Sequence, residues 1–270
     1  MERPAWAPPG IDISVPSVSR IYDYYLGGSH NFEVDRDAAR RAMEFLPGLP
    51  VITKANRAFM RRAVKFARTE GITQFLDIGC GIPSFGNVHE VAQDGSPMNR
   101  VLYVDHDPVA VEHSQAVLDG NAYASATSGD LREPRKILDS PEAAGLLDLE
   151  RPVALLLVAV LHFVQDEDEP YRAVAELRDA LAPGSLLVVT HASPHGVPEP
   201  PERVEGMTGV YRSLGNPLVM RAREEITRFF DGFTLVAPGL VAMPDWRPDQ
   251  PDAQEDPYAF VGFGGVGRKP

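Results

Sequence analysis

The chain is poor in cysteine: Cys80 is the only one in 270 residues, so no internal disulfide can staple the fold, and a reducing cytoplasm is expected. Positive charge is also scarce. Lys and Arg number 26 against 38 Asp and Glu, a net charge of −12 with no long basic run. Nucleic acid is therefore not an expected partner, because phosphates are gripped by clustered Lys and Arg. Long hydrophobic stretches are missing too. The longest, Val153–Phe163, has 11 residues, too few to cross a bilayer, so no membrane partner is expected. Residues Met1 to Gly10 have no apolar core and do not read as a signal peptide. Neither a G-x-S-x-G elbow nor a phosphate-cradling G-x-x-x-x-G-K loop occurs. His191 and His195 flank Pro194, which denies them a regular helix, so no metal site is expected.

What the chain does have is a 44% hydrophobic content, enough for one large α/β domain with additions or for two small ones. Its most informative stretch is Phe75-Leu76-Asp77-Ile78-Gly79-Cys80-Gly81-Ile82-Pro83-Ser84. This reads as a short apolar strand running into a glycine turn, with an acid two residues before the first glycine. A turn so tight needs residues without Cβ, to reach positive φ and to let a ligand approach the backbone. The run Arg100-Val101-Leu102-Tyr103-Val104-Asp105 reads as a second strand, and its acid falls 24 residues after Gly81. A carboxylate at that place can take both hydroxyls of a ribose held over the turn. The two features predict a pocket for an adenosine-containing cofactor.

The details select among such cofactors. A dinucleotide turn reads G-x-G-x-x-G, and here the third position is Ser84. Asp77 would repel a pyrophosphate, yet it suits a ligand that carries an ammonium and a sulfonium. The D-x-G-x-G pattern is similar to the first motif of Rossmann-like methyltransferases that use S-adenosylmethionine. Cys80, inside the turn, has no adjacent histidine in sequence and reads as a small turn residue rather than a nucleophile.

Helical spacing is expected over Ser17–Leu26, Val34–Phe45 and Thr53–Glu70, with Gly71 as the stop. Strands are expected at Thr73–Ile78, Val101–Asp105, Tyr123–Ser128, Pro152–Val160 and Leu186–His191. Helices are expected to begin near Gly86, Pro108, Glu133 and Glu169. Such alternation marks a parallel, doubly wound sheet, and the aliphatic Val153–Val160 suits a strand buried on both faces. Ser193–Pro217 is rich in Pro and Gly with little periodicity, and is expected to form a lid or insertion. A helix at Arg221–Phe230 and two strands, Thr234–Ala237 and Tyr258–Gly264, close the chain.

The expected fold is thus α/β, a Rossmann-like seven-stranded methyltransferase sheet with five parallel strands and a C-terminal antiparallel hairpin. A helical cap over residues 17–70 precedes it, after an extended Pro-rich N-terminus at 1–16. The main domain spans 71–270, with the lid at about 193–217.

Several segments carry a closer likeness: Arg20–Gly28, Asn56-Arg57-Ala58-Phe59, Gln74–Gly79, Gly86–Ala92, Val104-Asp105-His106-Asp107-Pro108, Pro183-Gly184-Ser185 and Val236–Val241. Through them the chain resembles a bacterial family of S-adenosylmethionine-dependent methyltransferases long catalogued as a domain of unknown function. The likeness covers about residues 17–268. Cys80 departs from the Thr or Ser more usual in such proteins, and Ser29-His30 occupies a variable spot. Neither removes a glycine or an acid from the pocket.

The resemblance implies fold and cofactor, but no defined substrate. It implies that Asp77, Gly79, Cys80 and Gly81 line the methionine end of S-adenosylmethionine, that Asp105 takes the ribose hydroxyls, and that His106 lies at the adenine edge or else starts the next helix. Asp130 would meet the adenine amino group next to Leu131, or else cap the following helix. The tail of the fourth strand, with Val160 and His162, would open beside the sulfonium. That makes His162 a candidate base or substrate contact, or else a buried histidine satisfied by hydrogen bonds. Tyr22, Tyr25, His30 and Asn31 could wall a substrate site or belong to a semi-core. Methyl transfer to O, N or C of a small molecule is the expected activity. A cofactor-binding protein without turnover is the alternative.

Overall fold

The computed structural model describes residue 7 and residues 11–84, 86–250 and 255–270. Most of the expected Pro-rich N-terminus at 1–16 lies outside the described residues; Ile11, within them, packs on a small cluster of Ile82, Val109 and Ala110. Three helices precede the sheet: α1 (Val18–Tyr25), α2 (Glu33–Phe45) and α3 (Leu49–Thr69). Strands and helices then alternate as β1 (Gln74–Ile78), α4 (Val88–Gln93), β2 (Arg100–Asp105), α5 (Pro108–Val117) and β3 (Ala124–Ser128). They continue through α6 (Pro134–Leu138), α7 (Pro141–Leu146), β4 (Ala154–Val158), α8 (Pro170–Ala180) and β5 (Leu186–His191). The chain ends with α9 (Pro201–Ser213), α10 (Arg223–Thr227), β6 (Thr234–Leu235), β7 (Val241–Ala242) and β8 (Phe263–Arg268). Proline opens each helix from α5 through α9, where its missing N–H is an orphan in any case and its fixed φ is already helical.

The sheet order is β3-β2-β1-β4-β5-β8-β6, with β7 paired to β8 off this path. The first five strands run parallel, and β8 lies antiparallel to both β5 and β6. Strand alternation divides the core between two faces. Leu76, Ile78, Leu102, Val104, Leu155 and Leu157 pack with residues of α6, α7 and α8 on one side. Phe75, Val101, Tyr103, Ala154 and Leu156 pack with Phe59, Met60 and Ala63 of α3 on the other. Asp77 and Asp105 share the parity of Phe75 and Tyr103, so both carboxylates stand on the α3 face of the sheet.

The α/β fold, the five parallel strands and the antiparallel C-terminal pair are as expected, while several elements differ. The last strand is Phe263–Arg268, not Tyr258–Gly264, because Pro257–Phe260 forms a 3₁₀ turn capped by the Asp256 side chain. The sheet also gains the two-residue β7, giving eight strands in place of seven. The expected lid of irregular chain at 193–217 contains a 13-residue helix, α9. Gly206 of that helix faces the Phe45 ring so closely that a Cβ would overlap it, which lets α9 lie against α2. The helix expected over Arg221–Phe230 is the shorter α10 followed by a 3₁₀ turn at Arg228–Phe230.

The expected cap is divided in its packing. Helices α1 and α2, with α9, surround a separate apolar cluster that includes Ile21, Tyr25, Leu46, Met207 and Tyr211. Helix α3 instead buries Phe59, Met60, Ala63 and Val64 in the sheet core. A buried Arg20–Asp35 pair, 3.0 Å apart, joins α1 to α2, and Arg20 also lies 4.0 Å from Asp107 at the head of α5. Among the described residues no helix is long and apolar enough to cross a membrane.

Candidate functional site

A cavity of about 480 Å³ opens at the carboxyl ends of β1, β2, β4 and β5, beneath α1 and α9. Ligands of open α/β sheets sit at this edge, where the strand order reverses on either side of β1. The turn after β1 supplies Asp77, Gly79, Cys80 and Gly81 to its lining. The tails of β2 and β3 supply Asp105, His106, Asp130 and Leu131, and the tail of β4 supplies Val160 and His162.

The glycine turn is shaped by two constraints. Gly79 has φ +76° and faces Val160 so closely that a Cβ there would overlap its side chain. Gly81 has φ +66° and no atom within 4 Å of the Cβ direction, so its backbone stays open to a ligand. The Gly79 N–H donates to Val104 O at 2.8 Å, hooking the turn onto β2.

Asp105 completes that hook. Its Oδ2 accepts from the Gly81 N–H at 2.8 Å and its Oδ1 from the Asp107 N–H at 2.8 Å. Burial pushes its carboxyl above the usual range while these two donors pull it down. Asp77 is different. It is 3% exposed, and among the described residues no group donates a hydrogen bond to its carboxylate. Burial, with Asp105 nearby, pushes its carboxyl up to about 7, opposed by Arg57 of α3.

Arg57 is itself buried and under-satisfied. Among the described residues its Nε has no hydrogen-bond partner, its Nη1 meets only the Met60 sulfur at 3.7 Å, and its Nη2 reaches Ile82 O only at 3.4 Å. Asp77 and Arg57 do not pair with each other, so the cavity wall carries an acid and a base that both lack a strong partner. Burial and the two nearby carboxylates push the Cys80 thiol well above the usual range, which disfavours the thiolate that a nucleophile needs.

At the β3 end, the Asp130 carboxylate holds the Arg132 Nε at 3.0 Å and accepts from the Arg132 N–H at 2.9 Å. These donors hold its carboxyl below the usual range, so it remains an ionised acceptor on the cavity rim. Exposed beside it, His106 places Nδ1 at 3.6 Å from Asp105 Oδ1.

The β4 tail is built differently. Ala159 adopts the left-handed region at φ +58°, held there by its N–H donating to Thr190 Oγ1 at 2.8 Å. The Thr190 hydroxyl donates to Asn56 Oδ1 at 2.6 Å, the Asn56 amide donates to the Tyr22 hydroxyl at 2.7 Å, and that hydroxyl donates to Thr53 O at 3.2 Å. This chain of bonds crosses from the sheet to α3 and α1 along the cavity wall. A left-handed alanine is costly, and strained positions of this kind gather at functional sites.

His162 follows on a 3₁₀ turn, 8% exposed, with its Nδ1 buried and without a partner among the described residues. Burial first, then His191 and Arg221, pull its pKa well below the usual value, so the ring is neutral at pH 7. Arg221, 1% exposed, clamps this turn by donating to Leu161 O at 3.1 Å and Val164 O at 3.0 Å. It also meets His191 Nε2 at 2.9 Å, while His191 Nδ1 contacts Ala192 O at 2.7 Å. His191 is thereby fixed as a neutral ring that accepts from the guanidinium.

Tyr22 and Tyr25 line the cavity, but His30 and Asn31 do not. The turn at Gly27-Gly28 folds them back onto their own helix. The His30 N–H and the Asn31 amide both donate to Asp23 Oδ2, at 2.9 and 2.8 Å, and Arg36 donates to Asn31 Oδ1. The His30 ring lies 3.9 Å from that of His113, on the α5 side.

The S-adenosyl methyltransferase family profile matches residues 4–270. The chain belongs to that family. It is an S-adenosylmethionine-dependent methyltransferase. A DUF574 family protein from Streptomyces avermitilis MA-4680 is 38% identical, with a TM-score of 0.90 over 96% of this chain and 99% of that one. A Thermobifida fusca YX protein, provisionally assigned as a methyltransferase, is 40% identical, with a TM-score of 0.91 over 98% and 99% of the two chains. No curated protein matches the chain.

The methyltransferase also brings to the cavity residues to which the sequence had given no role: Asn56, Arg57, Thr190, His191, Met207 and Tyr211. Asn56 and Arg57 had a signal, since a polar pair interrupts the apolar face of α3. Met207 and Tyr211 had little, because α9 itself was not anticipated. Arg221 had none, as its partners lie 30 to 60 residues away in the chain.

Proposed function

We propose that the cavity holds S-adenosylmethionine with its methionine end between Asp77 and Arg57. One observation carries this reading: an acid and a base, both buried and both short of partners, stand in the same wall without pairing. A zwitterion satisfies both, its ammonium at Asp77 and its carboxylate at Arg57. Each bond would be charge-assisted and desolvated. The open backbone at Gly81 suits the same end of the ligand. Asp105, already ordered by the Gly81 and Asp107 N–H groups, keeps lone pairs for ribose hydroxyls. Asp130, Leu131 and His106 are assigned to the adenine edge, and Cys80 and Val160 to van der Waals contact with the cofactor.

When bound, the cofactor supplies a methyl already activated on sulfur; the acceptor gains that methyl, gives up a proton and leaves S-adenosylhomocysteine. Positioning is therefore most of what the protein must provide. The Thr190–Asn56–Tyr22 chain and the Arg221 clamp hold the β4 tail and His162 in place for that task. His162, neutral and buried, is assigned to accept a hydrogen bond at a ring nitrogen from the acceptor's O–H or N–H. Its environment opposes a lasting imidazolium, which suits orientation better than strong base catalysis. The acceptor is taken to be a small molecule, methylated on O, N or C, and the protein to work in a reducing bacterial cytoplasm without nucleic acid. The single cysteine and the charge of −12 support the last two points.

Calorimetric titration of S-adenosylhomocysteine into the wild-type protein tests this reading. Micromolar affinity is expected, with NAD silent. Asp77→Asn and Arg57→Met should each weaken binding by about 1–3 kcal/mol. Absence of heat for S-adenosylhomocysteine, or affinity untouched by both substitutions, would contradict it.

A further inference from the structure

The cavity has two unlike ends. Its carboxylates and guanidiniums, Arg57, Asp77, Asp105, Asp130, Arg132 and Asp168, come from the strand tails, the loops after them and the α3 face that meets them. The lining residues contributed by α1, the chain just after α2, α9 and residues 215–220 are all uncharged. Tyr25, Leu46, Met207 and Tyr211 among them, with Leu49 at the start of α3, also belong to the apolar cluster that is separate from both faces of the sheet core. This second end is thus a compartment of its own, roofed by α1 and α9.

One polar feature stands inside it. The Tyr25 and Tyr211 hydroxyls lie 3.2 Å apart, joining α1 to α9. Two hydroxyls that share one hydrogen bond leave one O–H still to donate. Among the described residues nothing else accepts from either, although the two residues are 4% and 5% exposed. Burial pushes the Tyr25 hydroxyl well above its ordinary value and that of Tyr211 up to about 12, so both stay neutral donors at physiological pH.

Resting on the cofactor placement above, we infer that the methyl acceptor is an uncharged, mainly apolar molecule whose oxygen function meets the Tyr25–Tyr211 pair. An ammonium would find no carboxylate at this end once Asp77 is engaged, and a carboxylate would find no Lys or Arg. Either charge would be desolvated without compensation. A neutral hydroxyl or carbonyl oxygen, by contrast, accepts the spare phenolic O–H. Met207 and Met220 add soft, adaptable walls of the kind that pack against flat rings.

The test uses three probes with one ring system and different charge: naphthol, naphthoate and naphthylmethylamine. Each is titrated by calorimetry into protein saturated with S-adenosylhomocysteine, and into ligand-free protein. Naphthol should bind about tenfold or more tightly than either charged analogue. Tyr25→Phe and Tyr211→Phe should each weaken naphthol about three- to tenfold while leaving the S-adenosylhomocysteine affinity unchanged. The inference is overturned if a charged analogue binds as well as naphthol, if none of the three binds, or if both Phe variants bind naphthol like the wild type. Failure of the cofactor reading is separate and shows first, as missing heat for S-adenosylhomocysteine; the titrations into ligand-free protein then decide the acceptor class alone.

Discussion

At the residue scale, Asp77 is the group whose chemistry is most exposed to test. Its carboxyl, ordinarily near 3.8, stands at about 7 in the ligand-free fold. Folding therefore favours the protonated form, and the stability this gives is full below the unfolded-state value and lost as pH rises through 7. Asp77→Asn should raise the melting temperature of the ligand-free protein above pH 7, with the gain shrinking toward pH 4. Ligand linkage runs the other way. An ammonium needs the carboxylate, so S-adenosylhomocysteine binding near pH 7 should release about half a proton, and affinity should climb from pH 6 to pH 8. Calorimetry in buffers of different ionisation enthalpy measures the release, and Asp77→Asn should abolish it. A release that survives the substitution would assign the proton to another group.

Asp105 differs because its two oxygens already serve the fold. An amide in its place can offer one acceptor at most, yet both the Gly81 and Asp107 N–H groups need one. Asp105→Asn should therefore lower the melting temperature and also weaken S-adenosylhomocysteine by about 1–3 kcal/mol. Loss of affinity with unchanged stability would mean that the turn does not depend on this hook. That Asp77, Gly79, Gly81 and Asp105 would meet at one cavity was legible in the sequence, since a tight turn after a strand restricts residue choice severely. His30 and Asn31 were misplaced for a local reason: nothing in the sequence distinguishes a turn that folds toward the pocket from one that folds back onto Asp23.

At the element scale, the strands buried on both faces announced themselves through continuous aliphatic runs, and β5 was legible to the residue. The last strand did not, because Phe263-Gly264-Gly265-Val266-Gly267-Arg268 reads as a turn-rich segment. Its glycines are there for packing. A Cβ at Gly264 would come within 2.7 Å of the Phe59 ring, and one at Gly267 within 2.8 Å of Phe230 and Phe233. The aromatic rings cover the strand where side chains would otherwise stand. Gly264→Ala should thus cost about 1–3 kcal/mol by overpacking, read from the urea midpoint, with the slope of the transition unchanged. A neutral result would show that Phe59 moves aside freely. Helix α9 was missed for the opposite reason, since Pro200-Pro201, Gly206 and Gly209 suggest a loop while its few buried contacts are all long-range.

At the scale of the whole molecule, the sheet order and the antiparallel C-terminal pair follow the expected methyltransferase plan. The layout of the cap could not be read from sequence, because α1 and α2 gain their core only by meeting α9 from 160 to 190 residues onward. The cofactor is proposed to occupy the strand-tail end of the cavity, where the glycine turn, Asp105 and Asp130 meet the first turns of α1. Hydrogen-exchange mass spectrometry with and without S-adenosylhomocysteine tests this most directly. Slowed exchange is expected at 77–81, 105–107 and 129–131 together with residues 19–25 of α1, and little change at 28–32, which the fold turns away from the cavity. Protection that spares the glycine turn, or that appears at 28–32 and not in 19–25, would contradict it.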